Sequence, residues 1–145
     1  MGLAHTFPVR PDDPGVGIEI REVAMTRILL IEDNELSMKL AVILINCAGY
    51  EALQARNAEV GIALAREQIP DLILMDLQLP DMDGLSVTRL LRQDPSTRNL
   101  KIVAMTACAM AGEREKAKEA GCDEYIDKPI SIKKFIATIK EVLGK

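Results

Sequence analysis

Asp76 is the best candidate for a reacting group in this sequence. It directly follows the apolar run 72–75, and an uninterrupted run of this kind is typical of a strand that is covered on both faces. Parallel sheets bind their ligands at the carboxyl ends of the strands, which is where Asp76 is expected. A lone aspartate after a strand more often only begins a turn. The prediction that Asp76 is a reacting group therefore depends on the other side chains that are expected near it.

Glu32 and Asp33 supply two further carboxylates, because they end a second apolar run, 28–31. Together with Asp76 they would form an acidic cluster, and their mutual repulsion calls for a cation. Mg²⁺ binds one or two carboxylates together with waters and phosphate oxygens. We expect Asp33 and Asp76 to be direct ligands and Glu32 to act through a metal-bound water, while Gln78 can add its backbone carbonyl.

Lys128 and Thr106 end two later apolar segments and supply groups of the opposite kind. The Lys128 ammonium can neutralise a carboxylate or a phosphoryl oxygen, and the Thr106 hydroxyl can donate a hydrogen bond. With a metal ion, and with the Asp76 carboxylate as nucleophile, these groups describe the formation of an acyl phosphate. Each residue alone has an ordinary structural explanation, whereas four such positions at four strand ends favour a site.

The elements that must position these residues alternate along the chain from residue 27 onward. Strands are expected at 28–31, 50–54, 72–75, 102–105 and 125–126, and helices at 35–48, 58–68, 85–92, 113–120 and after Ser131. This alternation predicts an α/β fold of the flavodoxin-like (βα)5 type, a doubly wound parallel sheet with strand order 2-1-3-4-5. That order sets the first and third strands side by side, so the three carboxylates should converge.

Residues 1–24 differ from the rest of the chain, since they contain three prolines and lack a sustained apolar period. We expect them to form a disordered amino-terminal extension. The remaining residues, 25–145, are enough for one domain with a proper core.

Composition excludes several classes of function. The net charge is −4 and no cluster of Lys or Arg is evident, so binding to nucleic acid is not expected. The apolar runs are too short to cross a membrane and no signal peptide opens the chain, so we expect a cytoplasmic protein. The only histidine is His5, in the extension, which excludes hydrolases and metalloproteases that need a histidine in the folded part.

Two further features limit the chemistry. The three cysteines, at 47, 108 and 122, match neither a zinc site nor a disulfide framework, so we expect reduced thiols packed as small apolar groups. No glycine-rich phosphate loop follows the first strand, so a nucleotide kinase or a dehydrogenase is not supported. Phosphate would then have to be bound by a metal ion and side chains.

Four motifs together resemble the receiver domain of bacterial two-component response regulators. They are IEDN at 31–34, LMD followed by LPDMDG within 74–84, MTA at 105–107 and YIDKP at 125–129. The resemblance covers residues 27–145, and within the family it is greatest to stand-alone regulators of the cell cycle.

The resemblance implies a role for each matching residue. Asp76 would accept a phosphoryl group from a histidine kinase or a histidine phosphotransfer protein, with Mg²⁺ bound by the acidic residues. Lys128 would contact the phosphoryl group, and its peptide bond to Pro129 would be cis. Thr106 would be the switch hydroxyl, and Tyr125 the aromatic side chain that changes rotamer with it.

The implied function is that of a single-domain response regulator in cell-cycle or cell-division control, rather than an enzyme acting on other substrates. A downstream protein would dock on the face made by the fourth helix, fifth strand and fifth helix, and the protein would be a monomer or a weak homodimer. Gln78 and Cys108 occupy positions that tune loss of the phosphoryl group in the family. Because Cys108 is neither an acid nor an amide, the phosphoryl group is expected to be lost slowly. Ala107 would be a small residue that leaves Asp76 accessible to the phosphodonor.

Two rival functions stay open at this point. A metal-dependent phosphohydrolase would also form an aspartyl phosphate, but such enzymes usually carry a second aspartate two residues after the nucleophile, where this chain has Gln78. A flavin-binding electron carrier would share the strand order, but it needs a phosphate-binding loop where this chain has Glu32 and Asp33.

Overall fold

The computed structural model describes residues 25–107 and 111–144. Strands and helices alternate through these residues, within one or two positions of the predicted bounds. The strands are β1 (Arg27–Ile31), β2 (Glu51–Ala55), β3 (Leu72–Asp76), β4 (Lys101–Thr106) and β5 (Glu124–Asp127). The helices are α1 (Glu35–Cys47), α2 (Ala58–Gln68), α3 (Gly84–Gln93), α4 (Glu113–Ala120) and α5 (Ile132–Leu143). The predicted extension 1–24, and Cys108 with its predicted role, lie outside the described residues.

The five strands form one parallel sheet in the order β2-β1-β3-β4-β5, which confirms the predicted topology. The register brings the carboxyl ends of the central strands to one edge, because Ile31 lies beside Met75 and Asp76 lies beside Met105. The residues that directly follow β1 and β3 therefore meet at this edge, where parallel sheets bind their ligands.

Two apolar cores lie on the two faces of the sheet. Helices α1 and α5 cover one face, and α2, α3 and α4 cover the other. Every residue of β3 is buried, as expected for a central strand covered on both sides. Phe135 of α5 is fully buried, and its replacement by Ala would cost about 3–5 kcal/mol of stability.

Side-chain caps fix where the helices begin, and so fix the loops at the site. Asn34 accepts a hydrogen bond from the Ser37 N–H at the start of α1 (2.9 Å), as the sequence predicted. Asp83 caps α3 in the same way, through the Ser86 N–H (2.9 Å). Helix α4 begins after Gly112 without a side-chain cap, so its amino-terminal end is held less firmly than those of the other helices.

The prediction of packed thiols holds for one of the two described cysteines. Cys122 is buried, and this burial raises the pKa of its thiol. Cys47 is exposed at the end of α1, so its prediction as a packed group was wrong. It lies on the solvent-facing side of the last turn, whereas Leu44 and Ile45 of the same turn are buried. None of the described helices combines the length and apolar character needed to cross a membrane.

Candidate phosphoacceptor and metal site

Three carboxylates converge at the carboxyl edge of the sheet. Oxygens of Glu32, Asp33 and Asp76 all lie within 4.8 Å of one another. They open into a cleft of about 540 Å³, lined by Glu32, Asp33, Asn34, Glu35, Ser37, Asp76, Gln78, Ala107 and Lys128. The strand order explains this convergence, since β1 and β3 are neighbours although their ends are more than 40 residues apart in sequence.

The three carboxylates differ in exposure. Asp33 is exposed, Asp76 is 5% exposed and Glu32 is only 1% exposed. Burial raises the pKa of Glu32, while hydrogen bonds from Lys128 and from the Asn34 N–H act in the opposite direction. Because Glu32 already has these two partners, it is better placed to orient neighbouring groups than to enter a metal's coordination sphere directly.

Lys128 lies between two of the carboxylates. Its Nζ is 2.6 Å from Glu32 Oε1 and 3.5 Å from Asp76 Oδ2, and its side chain is mostly buried. The Lys128 N–H donates to the Thr106 carbonyl at 2.8 Å, which holds the backbone at this position. The peptide bond to Pro129 is cis, as the resemblance implied. The ammonium can therefore neutralise charge that appears on Asp76.

The loop after β3 holds the Asp76 carboxylate in one orientation. The Gln78 N–H donates to Asp76 Oδ1 at 3.0 Å, and the Gly84 N–H closes the loop by donating to the Leu77 carbonyl at 2.9 Å. A Cβ at position 84 would lie 2.8 Å from the Asp76 carbonyl oxygen, so this close approach of two backbone segments requires glycine. Asp83 and Gly84, the DG pair of the motif, therefore help to hold the loop beside Asp76.

Thr106 and Tyr125 are buried and are not among the residues that line the cleft. Thr106 is fully buried, and Ala107 lines the cleft in its place. Tyr125 is 6% exposed and sits on the same face of the sheet, since its register partner is Ala104 and side chains alternate along β4. The Arg114 guanidinium carbon lies 4.8 Å from the centre of the Tyr125 ring, within the range of a cation–π contact.

The donor set fits a hard divalent cation. The exposed Asp33 and the Asp76 carboxylate are oxygen ligands of the kind that Mg²⁺ prefers, and Gln78 lines the same cleft and offers its backbone carbonyl. Among the described residues, no other group of three or more acidic, histidine or cysteine side chains meets the geometry for a metal ion.

Sequence reasoning missed two relationships in the site. The close pairing of Lys128 with Glu32 has no local signal, because the residues are 96 positions apart. The second is Asp81, whose carboxylate binds the start of α2, 22 and 23 positions away. The capping role of Asp83, in contrast, had a signal, since an aspartate directly before a helix is a common cap.

Residues 28–140 match the response regulator receiver domain family. The polar-differentiation response regulator DivK of Brucella anthropi is 50% identical over 117 residues, which are 81% of this chain and 95% of that protein. DivK of Brucella ovis is 49% identical over the same shares of both chains. Both relatives are response regulators, in agreement with the family resemblance that the motifs indicated.

Two solved structures share the fold. One is the receiver domain of the sensor histidine kinase PA1611 from Pseudomonas aeruginosa, solved with a magnesium ion coordinated in the active-site cleft. It is 32% identical with a TM-score of 0.78, and the match covers 84% of this chain and 100% of that one. The other is a CheY-like receiver domain protein from Methanospirillum hungatei, 27% identical with a TM-score of 0.77 over 83% of this chain and 95% of that one. The chain therefore belongs to the family of response regulator receiver domains.

Proposed function

We propose that this protein is a single-domain response regulator that accepts a phosphoryl group on Asp76 from a histidine kinase or a histidine phosphotransfer protein, and then signals by docking to a partner protein. The observation that carries the proposal is the convergence of Asp76 and Asp33 with Lys128, whose Nζ lies 3.5 Å from Asp76 Oδ2. The DivK relatives support the single-domain form, because the match spans 95% of the first of them.

The proposed reaction transfers the phosphoryl group from a phosphohistidine to Asp76. A carboxylate oxygen of Asp76 attacks phosphorus, so that a P–O bond forms while the P–N bond breaks, and the imidazole nitrogen keeps the electron pair and takes a proton from solvent. Lys128 neutralises the negative charge beside Asp76, and Glu32 holds Lys128 in place. The Gln78 N–H keeps the carboxylate in one orientation.

Asp33, Asp76 and the Gln78 carbonyl would hold Mg²⁺, and Glu32 would act through a bound water. When bound, Mg²⁺ supplies positive charge that neutralises the carboxylate and phosphoryl oxygens. The buried Glu32 suits an indirect role, because Lys128 and the Asn34 N–H already occupy its oxygens. The magnesium ion in the cleft of the Pseudomonas aeruginosa receiver domain supports the same metal here.

An exposed apolar strip beside the cleft is the proposed docking surface for the phosphodonor. We define the α1 strip as Leu36, Leu40 and Ile43, which share one face of the helix and are 78%, 39% and 57% exposed. A groove of about 390 Å³ joins the strip to Lys128, with Leu36, Ser37, Leu40, Pro129 and Ile130 as its other lining residues. A donor helix packed on this strip would hold its phosphohistidine over Asp76.

The proposed output face consists of α4, β5 and α5. Thr106 and Tyr125 connect the cleft to it, since both side chains are buried on the side of the sheet that α4 covers. The downstream partner would bind this face, and the protein itself would be a monomer or a weak homodimer. The polar-differentiation role in the name of the Brucella relatives supports a pathway in cell-cycle or cell-division control.

Labelling with a small phosphodonor tests the proposal. With acetyl phosphate and Mg²⁺, mass spectrometry should find one phosphoryl group on the wild type and none on Asp76→Asn. Asp71→Asn is the matched control, because Asp71 is exposed just before the opposite end of β3 and should leave labelling unchanged. Beryllofluoride should bind only with Mg²⁺ present.

Undiminished labelling of Asp76→Asn would overturn the assignment of the acceptor. Steady turnover of a generic phosphomonoester would instead favour the phosphohydrolase. Gln78 stands where such an enzyme usually has its acid, and a neutral amide cannot protonate a leaving group.

A further inference from the structure

We infer that Asp81 is a positioning residue for the magnesium site, because its carboxylate ties the loop that carries Gln78 to the first turn of α2. This inference rests on the proposed function, since it concerns the residues that would hold Mg²⁺. The loop in question, 77–83, connects β3 to α3 and is called the β3–α3 loop below.

The Asp81 carboxylate binds two backbone groups at the start of α2. Oδ1 accepts from the Ala58 N–H at 2.8 Å and Oδ2 accepts from the Glu59 N–H at 3.1 Å. Amides in the first turn of a helix have no partner within the helix, and the helix dipole favours a negative charge there. Both hydrogen bonds lower the pKa of Asp81, so its carboxylate is charged at neutral pH.

A second residue, Asn57, caps the same helix through its own side chain. It accepts a hydrogen bond from the Val60 N–H at 2.9 Å. Helix α2 therefore has a local cap from Asn57 and a remote cap from Asp81. The two caps serve the same helix end, but only Asp81 connects it to the β3–α3 loop.

Gln78 lies at the base of the β3–α3 loop, next to the acceptor. Its N–H donates to Asp76 Oδ1, and it pairs with Asp83 in an isolated antiparallel bridge. Leu79 and Met82 are half-buried against the core, so the loop also has apolar contacts. The Asp81 carboxylate adds a polar connection from the far end of the loop to a neighbouring helix.

Helix α2 is a firm anchor because it packs closely on β1. A Cβ at Gly61 would lie 2.5 Å from Ile31 Cδ1, which shows how little space separates the helix from the strand. Ile31 directly precedes Glu32 and Asp33. Asp81 thus connects the metal ligands that follow β3 with those that follow β1, through α2.

This arrangement should make the site ready for the metal before the metal binds. Without the Asp81 carboxylate, the β3–α3 loop would have more freedom, and the Gln78 carbonyl would have to be ordered on binding. Removal of a group that orients a metal ligand typically weakens metal binding by 10- to 100-fold. We expect about a tenfold increase in the Mg²⁺ dissociation constant for Asp81→Ala, at the lower end of that range.

The test compares Asp81→Ala and Asp81→Asn with Asn57→Ala in the full-length protein. Calorimetric titration gives the Mg²⁺ dissociation constant, and hydrogen exchange of the metal-free protein reports on the Gln78 amide. Asp81→Ala should raise the dissociation constant and speed exchange at Gln78. Asp81→Asn keeps one acceptor oxygen and should lie between Asp81→Ala and wild type. Asn57→Ala removes the other cap of α2 and should leave the dissociation constant within about twofold of wild type.

Equal Mg²⁺ dissociation constants for Asp81→Ala and Asn57→Ala would overturn the inference, since Asp81 would then be no more than a helix cap. If Asp81→Ala does not fold, Asp81→Asn is compared with Asn57→Ala instead, and equal Mg²⁺ dissociation constants for these two variants would overturn the inference. A wild-type protein that binds no Mg²⁺ would overturn the proposed function itself. A wild type that binds Mg²⁺, with unchanged binding in the Asp81 variants, would overturn this inference alone.

Discussion

The Lys128 ammonium lies closer to Glu32 than to Asp76, at 2.6 Å from Glu32 Oε1 and 3.5 Å from Asp76 Oδ2. Glu32 is almost completely buried, so this ion pair is shielded from solvent at the floor of the cleft. The pairing holds the lysine beside Asp76 and leaves its other protons available for the phosphoryl oxygens of the proposed reaction. Glu32 therefore contributes to the site first as the partner of Lys128.

The first prediction concerns the pH dependence of stability. Burial raises the pKa of Glu32 above its ordinary value of 4.5, despite the opposing bond from Lys128. An acid whose folded pKa is raised contributes stability that is fully present below the ordinary pKa and is lost as pH rises through the folded pKa. The free energy of unfolding of Glu32→Gln, minus that of wild type, should therefore increase as pH rises from 4.5.

Denaturant titrations at several pH values, with a chelator present to remove metal, would measure this difference. The loss of the ion pair with Lys128 also changes the absolute stability of Glu32→Gln. The prediction is therefore tested by how the difference in free energy of unfolding changes with pH, and not by its size at one pH. A difference that stays constant or decreases with rising pH would show that Glu32 is not penalised by burial.

The second prediction concerns the α1 strip. Leu36 is 78% exposed, so Leu36→Ala should leave the fold and labelling by acetyl phosphate unchanged. Phosphotransfer from a protein donor should lose about tenfold in kcat/KM, the effect of removing a contact worth about 1.4 kcal/mol at the interface. The donor would be identified by screening the histidine kinases of the host.

Val60→Ala is the matched control, because Val60 is a 42% exposed aliphatic residue on α2, which covers the other face of the sheet. It should transfer at the wild-type rate. Equal values of kcat/KM for phosphotransfer to Leu36→Ala and Val60→Ala would mean that the donor does not bind on the α1 strip.

The fold was predictable because its signals are local and repeated. The apolar run that ends at Asp76 proved to be a strand buried along its whole length, and Asn34 caps α1 as its position before an apolar helix indicated. Strand order followed from the short connections and the handedness of parallel crossovers. Once the order was known, the convergence of Glu32 with Asp76 required no further information.

The pairings inside the site were not predictable, because they depend on distance in space and on burial. Nothing near Lys128 in the sequence distinguishes Glu32 from Asp76 as its partner. Likewise, Asp81 reaches a helix that begins 23 residues earlier, and the choice of that helix follows from the packing of α2 on β1. The contact of Tyr125 with Arg114 is equally non-local, because the two residues lie on β5 and α4.

The third prediction concerns residues 1–24. Their proline content and lack of apolar periodicity predict that they add little to the core. Their deletion should change the melting temperature by less than the several degrees that correspond to about 1 kcal/mol in a domain of this size. A thermal unfolding scan of the shortened and full-length proteins measures this, and a larger loss would mean that the segment packs on the domain.

The last prediction concerns the signal from Asp76 to the output face. Phosphorylation adds about 1.5 to 2 negative charges at Asp76. The hydroxyl of Thr106, at the end of the neighbouring strand, is the proposed donor to a phosphoryl oxygen, and its movement would bias the buried position of Tyr125 on the same side of the sheet. A ligand shifts a two-state element only by its differential affinity, so phosphorylation and partner binding should strengthen each other.

Thr106→Ala should therefore keep phosphorylation at Asp76 but lose most of the gain in partner affinity. The measurement is partner binding with and without beryllofluoride and Mg²⁺, for wild type, Thr106→Ala and the control Thr97→Ala. Thr97, in the loop after α3, is equally buried, but its hydroxyl donates to the carbonyl of Leu91 within α3. Its loss should therefore lower stability without changing the enhancement. If beryllofluoride strengthened partner binding equally in wild type and Thr106→Ala, the signal would have to leave Asp76 by a route that does not include Thr106.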